Sequence, residues 1–149
     1  MSVEETIGDI FKSGCDVITI PVNLKGVMGK GLAKTFANRF PEFVSLYKTA
    51  IRDGYLRKNV SCLIAYKGHR FLMFPTKDDW RNSSDVDDIR STLVNLKKSL
   101  KPLKIHSLAL PALGCGCGGV DYSEIKKLVL EVLDGQETCK IKLYKPWKN

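Results

Sequence analysis

No stretch of the chain approaches the roughly 18 consecutive apolar residues that a membrane helix requires. The N-terminus, Met1-Ser2-Val3-Glu4-Glu5, also lacks the basic-then-apolar order of a signal peptide. A cytoplasmic protein without membrane contact is expected. Cysteine is present five times, at Cys15, Cys62, Cys115, Cys117 and Cys139, but never as a CxxC doublet of the zinc-ribbon kind. Five thiols cannot all pair, so they read as reduced, and no metal site is expected. Histidine occurs twice, at His69 and His106, in or beside apolar runs that assign it no catalytic duty. Basic blocks are missing too: residues 1–75 carry 11 basic and 6 acidic groups, and residues 76–149 carry 13 and 10. The formal charge of +8 therefore suits a phosphate-bearing partner without singling out a nucleic-acid face.

What is present is one domain's worth of chain, 149 residues with 44% apolar, around two glycine-rich loops. The first is Asn23-Leu24-Lys25-Gly26-Val27-Met28-Gly29-Lys30-Gly31-Leu32-Ala33, between the apolar run ending at Val22 and a helical pattern. Glycines at this density let the backbone bend and approach a ligand closely. A helix N-terminus adds unpaired N–H groups and a positive dipole end that favour phosphate. The second, Ala112-Leu113-Gly114-Cys115-Gly116-Cys117-Gly118-Gly119, follows the apolar run Lys104–Pro111 and precedes another helical pattern. Two such loops predict two amide nests gripping one diphosphate. Neither matches GxGxxG or GxxxxGK[ST], and no acidic residue stands about 20 residues beyond the first, which disfavours a dehydrogenase.

In chain order, Thr6–Phe11 reads as a short segment before the turn at Lys12-Ser13-Gly14, with Asp9 favoured as a turn residue. Asp16–Val22 reads as a buried strand with Pro21 near its end. Leu32, Ala33, Phe36, Ala37 and Phe40 predict a helix stopped by Pro41, and Phe43, Leu46, Tyr47, Ala50 and Ile51 predict a second reaching Gly54. Val60–Tyr66 and His69–Pro75 flank Lys67-Gly68 as a hairpin. The polar loop that follows, Thr76 to Ser84, is where open α/β sheets place chemistry. Ser84 is expected to cap the next helix, whose stripe is Val86, Ile89, Leu93, Leu96 and Leu100. Asp121 with Glu124 predicts a near capping box for the helix carrying Ile125, Leu128, Val129 and Val132, and Cys139–Tyr144 closes the sheet.

Gly8-Asp9-Ile10, Asn23 with Gly26–Ala33, Phe74-Pro75-Thr76-Lys77 with Trp80-Arg81, and Pro111–Gly116 together resemble a macrodomain, over about residues 6 to 146. They are most similar to DarG-type antitoxin macrodomains, which remove ADP-ribose from thymidine bases in DNA. The resemblance implies a single three-layer α/β/α sandwich over residues 1–149, with a mixed sheet of about six strands and ADP-ribose across the strand ends. It implies that Asp9 bonds the adenine amino group, with Ile10 and Tyr144 beside the ring. Asn23 would face the distal ribose, and Gly26, Val27, Met28, Gly29, Lys30 and Gly31 would pass over that ribose and the phosphates. Gly114, Cys115, Gly116, Cys117 and Gly118 would hold the diphosphate, and Thr76 and Trp80 would border the ligand.

Lys77 is the catalytic residue implied, since the matching Phe-Pro-Thr-Lys lysine is the one needed for N-glycosidic cleavage in that branch. A lysine near the anomeric carbon attacks it or its ring-opened aldehyde, or supplies charge to the transition state. An ordinary lysine is a poor nucleophile, so burial or a cationic neighbour such as Arg81 would have to activate it. Two positions depart from related patterns. Gly118 stands where lysine-dependent relatives acting on protein-linked ADP-ribose carry an aspartate, with Asp121 three residues later as the nearest acid. Ile20 stands where the DarG pattern has a second asparagine. The expectation is a stand-alone, monomeric macrodomain without the C-terminal region that full antitoxins direct at their toxin. It acts on ADP-ribosylated DNA, with single-stranded DNA contact, and needs no cofactor. An ADP-ribose-binding module, an ADP-ribose 1″-phosphate phosphatase and a hydrolase of protein-linked ADP-ribose are the alternatives.

Overall fold

A computed structural model describes residues 2–146. Strands β1 (Val3–Thr6), β2 (Val17–Asn23), β3 (Cys62–Tyr66), β4 (His69–Lys77), β5 (Ser107–Leu110) and β6 (Lys140–Tyr144) form one sheet in the order β1-β6-β5-β2-β4-β3. All neighbouring pairs are parallel except β3 with β4, the hairpin about Lys67-Gly68. Helices α1 (Gly31–Arg39), α2 (Phe43–Arg52), α3 (Val86–Ser99) and α4 (Tyr122–Leu133) cover both faces, in the three layers expected.

The alternation of β4 separates the two cores. Phe71 and Met73 point to the face covered by α1 and α2, and join Ile20, Phe36, Phe43, Tyr47 and Ala50. Leu72 and Phe74 point the other way, to Ile89, Leu93 and Leu96 of α3 and Ile125, Leu128 and Val129 of α4. A period of two along one central strand thus dictates which helix pair meets which face. On the first face Phe36 stands 4.8 Å from both Phe43 and Phe71, edge-on in each pair. These geometries suit the ring quadrupoles and add to the burial itself.

Three expectations need correction. β1 was not legible as a strand, because Val3-Glu4-Glu5-Thr6 has one apolar residue. It pairs with β6 from Val3↔Ile141 to Thr6↔Tyr144, and so makes β6 an interior strand rather than the edge. Its docking relies on distant partners: the Asp134 carboxylate accepts from Ser2 N (3.0 Å) and Val3 N (3.2 Å). Second, Ser84 does not cap α3. Asp85 does, accepting from Asp87 N at 2.8 Å. Third, Asp121 precedes α4 without capping its amides, because its carboxylate takes the Ser123 hydroxyl instead.

Both strand prolines sit where the ladder has already ended on their N side. The β2–β5 pairing covers only Val17 and Ile18, so Pro21 interrupts no bond to β5, and β2 runs on to Asn23. The β3–β4 pairing stops at Cys62↔Met73, ahead of Pro75. Proline is tolerated in a central strand only under such conditions.

Candidate active site

At the C-terminal ends of β2, β4 and β5, a cleft of about 420 Å³ opens between the two glycine loops. Its walls are Pro21, Val22 and Asn23; Val27, Gly29, Lys30, Gly31, Leu32 and Ala33; Thr76, Lys77, Trp80 and Ser84; and Ala112, Gly114, Cys115, Gly116, Cys117 and Gly118. This is the strand-end crevice at which open α/β sheets bind ligands.

The first loop is held in shape by Asn23. Its Nδ2 donates to Val27 O (2.7 Å), and its Oδ1 accepts from Lys25 N (3.0 Å) and Val27 N (3.4 Å). Behind it, the fully buried Tyr47 hydroxyl donates to Asn23 O (2.5 Å) and lies 3.1 Å from Asn23 Oδ1. Burial pushes the Tyr47 phenol far above its ordinary value, so it remains a donor at any working pH. Gly26, at φ +79°, is pressed on Lys48, whose Cγ would stand 3.2 Å from an added Cβ. α1 starts at Gly31 without a side-chain cap, and Gly31, Leu32 and Ala33 all border the cleft. Their amides are the unpaired donors of a helix start, beside a positive dipole end.

The second loop turns on Gly114 (φ +75°) and Gly116 (φ +67°). Internal bonds Cys115 N to Ala112 O (3.2 Å), Gly119 N to Gly116 O (3.1 Å) and Val120 N to Gly114 O (2.9 Å) fix its course. Among the described residues the N–H groups of Gly116 and Cys117, which open a single 3-10 turn, have no backbone acceptor. Two sets of free amides therefore face one crevice, an arrangement suited to an anion. Burial, with the charge of Asp121 adding to it, pushes the Cys115 thiol up to about 11, so it is no nucleophile at neutral pH.

Lys77 arrives by a slip in register. β2 and β4 run Val22↔Pro75 and then Asn23↔Lys77, so Thr76 is an extra residue in β4. Such a bulge re-aims the side chains that follow, and here Thr76 and Lys77 both border the cleft with Asn23. None of the ion pairs among the described residues involves Lys77. Arg81, considered in sequence as its cationic neighbour, is committed elsewhere. It grips Asp79 through two parallel bonds, Nε to Oδ1 at 3.0 Å and NH2 to Oδ2 at 2.6 Å, and holds that carboxyl well below its usual range. Its guanidinium lies 5.6 Å from the centroid of the Trp80 ring, a rim residue 47% exposed.

The remaining sequence-predicted residues divide by position. Asp9, Ile10 and Tyr144 are outside the cleft walls but adjoin them: Ile10 and Tyr144 pack with Ala109, and Leu32 bridges that cluster to the cleft. Asp9 has the turn role, its Oδ1 accepting from Phe11 N at 2.9 Å while Oδ2 meets Arg39 at 3.5 Å. Gly26, Met28, Arg81 and Asp121 are not wall residues, and Met28 packs on the α1–α2 core. Ile20 is fully buried in that core. Sequence reasoning missed Pro21, Val22, Leu32, Ala33, Ala112 and Ser84 as wall residues; the first five merely continue the motifs, whereas Ser84, at the end of the polar loop, reads in sequence as a helix cap. Among the described residues no group of three or more His, Cys, Asp or Glu could hold a metal ion, and no helix is long and apolar enough to cross a membrane.

The Macro domain family model matches residues 20–129. Among curated relatives, a DNA ADP-ribosyl transferase-DNA ADP-ribosyl glycohydrolase fusion protein of Thermosipho africanus is 35% identical over 93% of this chain and 40% of its own length. A DNA ADP-ribosyl glycohydrolase of Thermus aquaticus is 30% identical over 95% of this chain and 41% of its own. The chain thus spans about two fifths of the curated relatives it matches. Among solved structures, the macrodomain of Mycobacterium tuberculosis DarG superposes with a TM-score of 0.91 at 28% identity, covering 97% of this chain and 98% of that one. Thermosipho africanus DarTG in complex with ADP-ribose gives 0.91 at 33% identity, over 99% of this chain and 42% of that one. With sheet order, paired glycine loops and strand-end cleft all in agreement, the chain belongs to the Macro domain family.

Proposed function

We propose that this chain is an ADP-ribosyl glycohydrolase that removes ADP-ribose from thymidine-linked adducts in DNA. The observation that carries it is the register slip that sets Lys77 beside Asn23 in the cleft wall, between two loops with free amides. The amides hold the diphosphate, Asn23 shapes the loop over the distal ribose, and Asp9, Ile10 and Tyr144 meet the adenine beyond Leu32. In the reaction the bond between the anomeric carbon and the base nitrogen breaks. Water supplies a hydroxyl to the carbon and a proton to the nitrogen. Lys77 acts at the anomeric centre, either by attack on the anomeric carbon as the base leaves, giving an adduct that ring-opens to a Schiff base and is released by water, or by offsetting charge on the departing base.

Trp80, with the Arg81 guanidinium 5.6 Å from its ring centroid, offers a flat surface to a nucleobase at the rim, in single-stranded DNA. The charge of +8 favours a polyanion. This activity suits a monomeric cytoplasmic enzyme of antitoxin type, and the relatives named as DNA ADP-ribosyl glycohydrolases support it. A binding module that retains ADP-ribose uncut is the second reading, favoured by the apolar, buried Ile20 in place of a second asparagine.

The deciding assay uses a single-stranded oligonucleotide carrying ADP-ribosyl-thymidine, with the wild type and Lys77→Ala compared by mass spectrometry. Release of ADP-ribose by the wild type alone supports the hydrolase. Calorimetric ADP-ribose binding that is unchanged by Lys77→Ala, without turnover by either protein, supports the binding module.

A further inference from the structure

We infer that Ser84 is an additional ligand-binding residue, whose hydroxyl bonds an oxygen of the bound nucleotide where the Lys77 loop meets the second glycine loop. The inference rests on the reading of the cleft as an ADP-ribose site. Three buried side-chain polar atoms among the described residues lack a hydrogen-bond partner, those of Thr19, Asn59 and Ser84, and only Ser84 borders the main cleft. A buried hydroxyl without a partner is destabilising, and such atoms call for an explanation.

The surroundings of Ser84 explain why the hydroxyl is held there. Its backbone N–H donates to Gly118 O at 3.0 Å, which latches the segment carrying Lys77 and Trp80 to the second glycine loop. Its Cβ lies 3.2 Å from where a Cβ on Gly114 would stand and 3.1 Å from one on Gly118, and its Oγ closer still to the latter. Gly118 is thus moulded around this side chain, while Gly114 is pressed most closely by Ile89, with Ser84 and Val120 next. The Oγ occupies the space that any larger residue at 118 would need, between the loop with free amides and the wall bearing Lys77. It is not the helix cap, since Asp85 has that task. As placed, the Oγ is buried against Gly118, so contact with a ligand requires it to turn about χ1 to another staggered well. There it can donate to a phosphoryl oxygen or exchange hydrogen bonds with a ribose hydroxyl, and either contact relieves the unpaired atom.

The test is calorimetry with ADP-ribose and with ADP on wild type and Ser84→Ala, with thermal melting of both. Ser84→Ala keeps the Cβ and the backbone latch, so the melting temperature should hold or rise, while ADP-ribose affinity falls about tenfold. An equal loss with ADP assigns the contact to the diphosphate; a loss confined to ADP-ribose assigns it to the distal ribose. Ser84→Ala binding within twofold of wild type overturns the inference, as does weakened binding that only follows a lowered melting temperature. Ser84→Gly, which removes the wedge as well, should lower the melting temperature and so report the purely structural share. Because binding alone is read, wild type that binds without cleaving leaves the Ser84 result valid and refutes only the hydrolase. Wild type that fails to bind ADP-ribose refutes the site itself, and this inference with it.

Discussion

Asn23 and Lys77 are register partners across β2 and β4 only because Thr76 is inserted between Pro75 and Lys77. Without that extra residue Thr76 would oppose Asn23, and the alternation would send Lys77 to the opposite face. The pairing couples the residue that shapes the first loop to the residue proposed for catalysis.

Substitution at position 77 should separate the two chemical roles of the lysine. Lys77→Ala is expected to reduce turnover on ADP-ribosyl-thymidine DNA by about 1000-fold or more, with ADP-ribose affinity changed a few-fold at most. Lys77→Arg keeps the charge but cannot form a Schiff base. Partial activity in that variant assigns charge stabilisation, whereas complete loss, together with borohydride trapping of the wild type, assigns covalent attack. Single-turnover kinetics make the distinction.

Tyr47 is structural in position and functional in effect. Tyr47→Phe removes the donor to Asn23 O and Oδ1 from a fully buried site. A loss of about 1–2 kcal/mol in stability is expected, because a buried acceptor is left without its donor. ADP-ribose affinity should fall as the first loop loosens. Urea denaturation and calorimetry measure the two effects, and an unchanged affinity would detach the loop from Tyr47.

At the rim, Trp80→Ala should weaken cleavage of the oligonucleotide substrate more than binding of free ADP-ribose, by about tenfold in KM, the scale of one base–aromatic stack. Trp80→Phe should restore part of it. Comparable losses on both ligands would place Trp80 against ADP-ribose itself.

An acid-dependent contribution is expected from the network at β1. The Glu5 carboxylate accepts from the Tyr122 hydroxyl at 2.7 Å, with Lys126 at 3.3 Å and Lys145 at 3.4 Å. The Tyr122 bond is the main cause that holds Glu5 below its ordinary value, with burial opposing it. A carboxyl depressed in the folded state stabilises above its unfolded value, near 4.5 here, and that contribution disappears as pH falls through the folded value. Tyr122→Phe should therefore cost about 1 kcal/mol at pH 7 and almost nothing near pH 2, after allowance for partial exposure. Denaturant midpoints at the two pH values measure it.

The aromatic core should be the least forgiving part of the fold. Phe36 is fully buried with three rings, Phe40, Phe43 and Phe71, within 5.3 Å between centroids. Phe36→Ala is expected to cost about 3–5 kcal/mol, and calorimetric melting is the check.

By itself the sequence determined what depends on local pattern. Helical stripes at Phe36–Phe40 and Val86–Leu100, the apolar runs of β2, β4 and β5, the hairpin at Lys67-Gly68 and the two glycine loops could all be read directly, because propensity, periodicity and turn chemistry act over a few residues. The family resemblance rested on those same motifs. Only the tertiary structure decided what depends on partners distant in the chain. β1 is a strand through β6 and Asp134, not through its own composition. The bidentate grip of Arg81 on Asp79, though only two residues apart, is likewise a matter of side-chain geometry that the linear pattern does not show. The register slip at Thr76 and the orphaned hydroxyl of Ser84 leave no trace in a linear pattern, since each arises where two separately encoded elements meet and must share one space.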